Sequence, residues 1–205
     1  MFCKTEQHFR KITNVSYETI TKLNKYLILL KNSQLKFNLV SNKSLEDIWN
    51  RHFLDSFQII KFIGNNKRML DFGSGAGFPG MVCGICSTNY VYLVDSNKKK
   101  VSFLKQIKKK LNLKNVFVYH TRIENFRTKK KFDVICSRAV SSLENLLSYT
   151  IDFSNLNTRF IFLKGKKVDK EIIFSKKKWS YNLKCETSIT NKEGKILIIK
   201  NLKKK

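Results

Sequence analysis

The sequence predicts an α/β fold built on a doubly wound, mostly parallel sheet, and three observations predict it. From residue 68 onward, short apolar runs alternate with helical stretches, the pattern of parallel strands joined by right-handed helical crossovers. The first of these runs ends in Gly73-Ser74-Gly75-Ala76-Gly77, where glycines let a tight strand-to-helix turn come close to a ligand. Near the end, apolar alternation over 181–189 and 195–200 flanks Thr190-Asn191-Lys192-Glu193-Gly194, a turn-rich break suited to an antiparallel hairpin.

Each element follows from local pattern. Ser16 is a natural N-cap for a helix with Ile20, Leu23, Leu27 and Leu30 at helical spacing. A second helix is expected from Ser44, whose spacing to Asp47 resembles a capping box, carrying Leu45, Ile48, His52, Phe53, Phe57 and Ile60. Strands are expected at 69–72, 90–94, 116–119, 132–136 and 159–163. Helices are expected from Pro79 onward, through Val101, Leu104, Ile107 and Leu111, and over 143–151. The link at 38–42 is too short to join separate domains, and no repeat is visible. One domain over 1–205 is expected, with a helical part at 1–66 and an α/β core at 67–205.

Composition narrows the partners. The 205 residues carry 41 Lys+Arg against 15 Asp+Glu, a formal charge of +26, which favours polyanions such as nucleic acid. Only seven of the 41 are arginine, so a lysine-rich coding bias contributes as well. No targeting segment is visible at the polar start, and apolar runs such as 26–30 and 90–94 are too short to span a bilayer. A soluble, cytoplasmic protein with no membrane partner is expected. The five cysteines (Cys3, Cys83, Cys86, Cys136, Cys185) are odd in number and irregularly spaced. Cys83 and Cys86 form a C-x-x-C without a second ligand pair, so buried reduced thiols are expected and no metal.

The glycine loop is the most informative stretch. Gly75-x-Gly77-x-x-Gly80 matches a dinucleotide fingerprint, whereas Asp71-x-Gly73-x-Gly75-x-Gly77 matches a methyltransferase one. A carboxylate at Asp71 would repel the phosphates of NAD. It is suited to ordering the loop and facing the cationic end of S-adenosylmethionine. Asp95 closes the strand at 90–94, 22 residues after Gly73, near the roughly 20 residues expected of an acid that binds ribose hydroxyls; a helix N-cap is the plainer role for it. The loop His120-Thr121-Arg122-Ile123-Glu124-Asn125-Phe126 is placed to cover an adenine, with Ile123 as apolar lid and backbone at Glu124 meeting the base edge. Arg138 stands at the carboxyl end of a central strand, where open α/β sheets bind ligands. Asp71, Gly75 and Asp95 are thus candidate cofactor contacts.

Several segments together resemble one family. They are Asn38-Leu39-Val40-Ser41, Arg51-His52-Phe53-Leu54-Asp55-Ser56, the glycine loop with Phe78-Pro79-Gly80, Leu93-Val94-Asp95-Ser96, Lys100-Val101-Ser102-Phe103-Leu104, Thr121-Arg122-Ile123-Glu124, Ser137-Arg138-Ala139 and Leu163-Lys164-Gly165. In kind and order they are similar to the bacterial 16S ribosomal RNA guanine-N7 methyltransferases, also called glucose-inhibited division protein B. The resemblance implies a class I methyltransferase (Rossmann-like) fold, S-adenosyl-L-methionine as cofactor, and 16S ribosomal RNA as partner, within a small-subunit particle; a monomer is expected. It implies cofactor contacts at Gly73, Phe78, Ile123, Glu124 and Arg138. Ala76 and Phe78 depart from residues common in the family, where proline and leucine often stand.

Guanine N7 carries a free lone pair, so no general base is expected. Arg138 is the candidate positioning residue, with Arg122 and Lys164 as candidate RNA contacts. Lysines at 98–100, 108–110, 129–131 and 176–178 suit phosphates, which position RNA without reading its sequence. Two other readings remain open on the residues alone: an NAD-dependent oxidoreductase, and a non-enzymatic RNA- or ribosome-binding protein.

Overall fold

The computed structural model describes residues 5–138 and 140–205, so Cys3 and Ala139 lie outside the described residues. Seven strands form one sheet: β1 (Arg68–Phe72), β2 (Tyr90–Asp95), β3 (Val116–His120), β4 (Val134–Arg138), β5 (Arg159–Lys164), β6 (Trp179–Thr187) and β7 (Lys195–Lys204). Their order is β3-β2-β1-β4-β5-β7-β6. The first five pair in parallel, while β7 runs antiparallel to both β5 and β6. The alternating pattern and the terminal hairpin are as the sequence predicts. That the hairpin folds back so that its second strand lies beside β5 is a tertiary result.

Parallel strands are covered on both faces, which is why β1, β2, β4 and β5 read as nearly unbroken apolar runs. Successive residues of β1 serve opposite cores. Met69 joins a cluster with Phe9, Leu23, Tyr26, Leu30, Phe53 and Met81, whereas Leu70 and Phe72 join Tyr92, Phe132, Ile135, Leu147 and Trp179. The amino-terminal helices α1 (Glu6–Thr13) and α2 (Tyr17–Gln34) therefore share a core with the sheet. Ser16 caps α2 by accepting from Thr19 N–H. Tyr26, fully buried, takes the inward place at which Leu27 is expected; Leu27 is only partly buried.

Three local expectations are corrected. Helix α1 lies in the polar start, where a single buried residue, Phe9, leaves almost no periodic signal; Thr5 caps it. The second helix starts from Ser41, which accepts from Ser44 N–H, and not from Ser44, which is buried. This α3 (Asn42–Glu46) stops at Asp47, and a π-helical turn, Trp49–Leu54, leads into one α-helical turn, α4 (Asp55–Phe57). The wider turn buries Trp49, Asn50, His52, Phe53 and Leu54 together, more than one stripe of a regular helix buries. Such widened turns mark functional segments elsewhere.

The remaining helices are α5 (Gly80–Cys86), α6 (Lys98–Lys110), α7 (Leu143–Thr150) and α8 (Val168–Ser175). Helix α8 follows β5 and is unannounced by the sequence pattern, since only Val168 and Ser175 are buried along it. Cys83 and Cys136 are buried, Cys86 is partly buried and Cys185 exposed, all free thiols; burial pushes the Cys86 thiol up to about 12. Among the described residues no helix is long and apolar enough to cross a membrane.

Tyr26 ties the helical part to the glycine loop, because its hydroxyl donates to the Ala76 carbonyl. It also stands where Gly77 needs no side chain: a Cβ there would lie 2.6 Å from the Tyr26 hydroxyl. Tyr26→Phe is expected to strand a buried carbonyl and lower stability by about 1–3 kcal/mol, read as a drop of several degrees in the thermal midpoint.

Candidate functional site

Register brings the site together. Phe72 of β1 pairs with Val94 of β2, so Gly73 and Asp95 leave the sheet at the same level, and Gly73 N–H donates to Val94 O at 2.8 Å. Gly73 has φ +64, and a Cβ on it would come within 2.4 Å of Val140. Glycine is required there by both backbone and space. At Gly75, φ is +56 and the N–H donates to Asp95 Oδ2 at 2.8 Å. The other oxygen, Oδ1, accepts from Asn97 N–H at 2.8 Å. Asp95 is not the cap of α6; Asn97 is, accepting from Lys99 and Lys100 N–H. Asp95 joins the glycine loop to the start of α6 from two residues before the cap.

Around these residues lies a cleft of about 260 Å³, lined by Gly73, Asp95, Arg122, Ile123 and Glu124 together with Val140, Ser141 and Tyr149. Ile123 to Asn125 form a single 3-10 turn after β3, so the 120–126 segment closes one side as a loop. Thus five of the residues singled out in the sequence meet here: Gly73, Asp95, Arg122, Ile123 and Glu124.

Asp71 points elsewhere. It is 1% exposed, does not line the cleft, and accepts from Gly80 N–H at 3.0 Å through Oδ2. Cys136 Sγ approaches its Oδ1 at 3.6 Å. It holds the loop from within. A Cβ on Gly80 would lie 2.5 Å from Asp71 Oδ2 and 2.4 Å from Leu93, so this glycine serves the carboxylate. Phe78 is likewise buried, stacked on Tyr26 at 5.5 Å between ring centroids.

A second cleft of about 660 Å³ opens over the ends of β4, β5 and β7. Arg138 is its centre. Its Nη1 donates to Asp55 Oδ2 at 3.0 Å and to Arg51 O at 3.1 Å, and its Nη2 donates to His52 Nδ1 at 2.7 Å. The guanidinium lies over the Phe78 ring, 5.3 Å from its centroid, a favourable cation–π placement. Since a guanidinium only donates, His52 accepts at Nδ1 and carries its proton at Nε2. Burial, then the Arg138 and Arg51 charges, push the imidazole down to about 3, so it is neutral at physiological pH. Asp55 also accepts from Thr190 and Gln58, each at 2.8 Å, pinning the amino-terminal segment to the hairpin.

Lys164 lines the second cleft and links it to the first. Its Nζ donates to Ser141 O at 2.7 Å and pairs with Glu171 Oε2 at 2.6 Å with the lysine side chain 7% exposed. Arg122 and Lys164 therefore stand in different clefts. Arg51, His52 and Asp55 belong to a family-like segment, but no local pattern in the sequence assigns them a role. Val140, Ser141 and Tyr149 carried no signal beyond following a strand end.

Burial lifts the Asp71 carboxyl from 3.8 to about 7, with hydrogen bonds from Gly80, Cys136 and Ser74 and the Arg138 charge opposing the rise. The folded protein then holds this proton more tightly than the unfolded chain. Its contribution to stability is largest below 3.8 and is lost as pH rises through about 7. His52 acts oppositely, losing stability as pH falls from 6.5 towards about 3. Asp71→Asn, which keeps an acceptor for Gly80, is expected to remove the first effect alone. Thermal midpoints from pH 4 to 8 should then rise more with pH in the variant than in the wild type.

Comparison with known proteins agrees with this architecture. Residues 19–201 match the family model GidB, described as rRNA small subunit methyltransferase G. The chain is 36% identical over 195 residues to a ribosomal RNA small subunit methyltransferase G of Rickettsia prowazekii, covering 93% of this chain and 98% of that one. It is 37% identical over 183 residues to the protein of the same name from Mesoplasma florum, covering 87% and 76%. Among solved structures, a SAM dependent methyltransferase from Aquifex aeolicus superposes with a TM-score of 0.60 at 17% identity, covering 77% of this chain and 95% of that one; this likeness is one of fold. With two clefts along the carboxyl edge of such a sheet and a family match over most of its length, the chain belongs to the GidB family, the rRNA small subunit methyltransferase G proteins.

Proposed function

We propose that this protein transfers the methyl group of S-adenosylmethionine to N7 of a single guanine in 16S ribosomal RNA, presented within a small-subunit particle. The observation that carries the reading is the pairing of two clefts on one sheet edge in a member of this family: a small one floored by Gly73 and Asp95, and a larger one rich in arginine and lysine. At about 260 Å³ the first cleft is near the lower end of small-ligand pockets, roughly 300 Å³. That is the scale of a nucleoside site.

In this reading the donor set fits the cofactor. Gly73 lets the ligand approach the backbone, Asp95 accepts from the ribose hydroxyls, Ile123 covers the adenine, and backbone at Glu124 meets its edge. Asp71, Gly75 and Phe78 act indirectly, by shaping the loop and supporting Arg138. Bound S-adenosylmethionine supplies an electrophilic methyl group. The protein's part is alignment, since N7 has a lone pair and needs no base; near-attack positioning supplies roughly 7–11 kcal/mol. Arg138, rigidly held, shapes the cleft that receives the base. Because the major groove of A-form RNA is too deep and narrow for side chains, the guanine must sit in a loop or be turned out. The charge of +26 and Arg122 favour RNA, with Lys164 bracing the wall of the second cleft; in this reading the protein is a cytoplasmic monomer working on ribosomal particles.

Incubation with methyl-labelled cofactor and undermethylated small subunits is expected to label one guanosine. N7 methylation makes it labile, so borohydride–aniline cleavage should give one strong stop; label on ribose, on protein or on a pyrimidine would refute the assignment. Asp95→Ala is expected to weaken cofactor binding at least tenfold by calorimetry, because charge-assisted hydrogen bonds contribute about 1.5–3 kcal/mol each.

A further inference from the structure

Two carboxylates line the second cleft, Asp47 and Asp55. Asp55 is committed to Arg138, Gln58 and Thr190. Asp47 is different. It is half-buried at the carboxyl end of α3, and its Oδ2 accepts from Asn50 Nδ2 at 3.2 Å. Among the described residues no lysine, arginine or histidine forms an ion pair with it, although cations exceed acids by 26 in this chain. A phosphate would be repelled by this group. A ligand edge carrying N–H donors would be attracted to it.

A second, independent feature lies in the same cleft. His52 is 8% exposed, and its Nε2, which carries the proton because Nδ1 accepts from Arg138, has no hydrogen-bond partner among the described residues. An unpaired buried donor is costly. Toward a ligand the cleft offers a set of acceptors, the two oxygens of Asp47, inside a rim that includes Arg51 and Lys195; His52 Nε2 is sealed from solvent.

Guanine is the ribonucleobase that matches this set. Its N1–H and exocyclic amine present two adjacent donors to a carboxylate, and O6 beside them accepts. Recognition along that edge leaves N7, on the other ring, free to meet a methyl group. Resting on the methyltransferase reading above, we propose that Asp47 selects the target base by accepting from N1–H and the 2-amino group of guanine. Adenine would place an acceptor, N1, against the carboxylate and is rejected by it.

The test uses the full chain and small-subunit particles carrying either guanosine or inosine at the mapped site. Inosine keeps N7, O6 and N1–H but lacks the amine. The wild type is expected to prefer guanosine by roughly tenfold in kcat/KM, the loss of one hydrogen bond to a charged acceptor. Asp47→Ala should use both substrates at one common rate below the wild-type inosine rate, because it loses the N1–H contact as well, with cofactor affinity unchanged, and Asp47→Glu should restore the preference in part. An Asp47→Ala variant that still prefers guanosine as strongly as the wild type overturns the proposal. If that variant does not fold, the isosteric Asp47→Asn serves, and an undiminished preference in it overturns the proposal equally. Absence of any methyl transfer by the wild type, or label at an atom other than N7, would instead remove the reading on which the proposal rests.

Discussion

A buried carboxylate accepting one backbone N–H is the constraint on which the site depends. Asp71, one residue before the end of β1, holds Gly80 N–H at 3.0 Å and so fixes where α5 begins. The five residues between Gly73 and Pro79 must then turn in the space that remains. Two further elements pin that turn from outside: Asp95 of β2 holds Gly75, and Tyr26 of α2 holds Ala76. The positive φ values at Gly73, Gly75 and Gly77 follow from these three anchors. A charged group buried this way costs stability unless hydrogen-bonded, and the shift of its ionisation to about 7 expresses that cost.

Arg138 organises the neighbouring cleft by the opposite means, a permanent cation satisfied on several sides. Its fork reaches Asp55, Arg51 O and His52 while its flat face rests on Phe78. A lysine has neither the fork nor the plane to replace these contacts. The pair with Asp55 is largely withdrawn from solvent, with both side chains under 20% exposed. It differs in kind from exposed pairs such as Lys22–Glu18, which contribute little in water. Through it, the π-helical turn, β4 and the hairpin are held as one wall.

The excess of lysine is not all free for RNA. Lys164 is a buried brace between Ser141 and Glu171, Lys130 donates to the Tyr92 hydroxyl at 2.9 Å, and Lys131 donates to Asp152 O at 2.6 Å. Composition counts these with the solvated lysines of α6, yet their ammonium groups already have partners. Where a cation is engaged inside the fold, its contribution to long-range attraction remains while its hydrogen bonds are spoken for.

Residue pattern by itself determined the order of strands and helices, the glycine loop, and the 22-residue offset that brings Asp95 beside Gly73, because alternation, helical period and turn chemistry act over a few residues at a time. The family was also legible, since its motifs are contiguous. Tertiary structure decided what those residues face. Asp71 and Phe78 sit within the fold and not along the first cleft; Arg138 finds its partners 83 to 87 residues earlier in the chain; and β7 is placed between β5 and β6. The cap at Ser41, the π-helical turn and α8 were hidden for a related reason. Their backbone path is chosen by packing against distant segments, and a local period carries no record of which distant surface a side chain will meet.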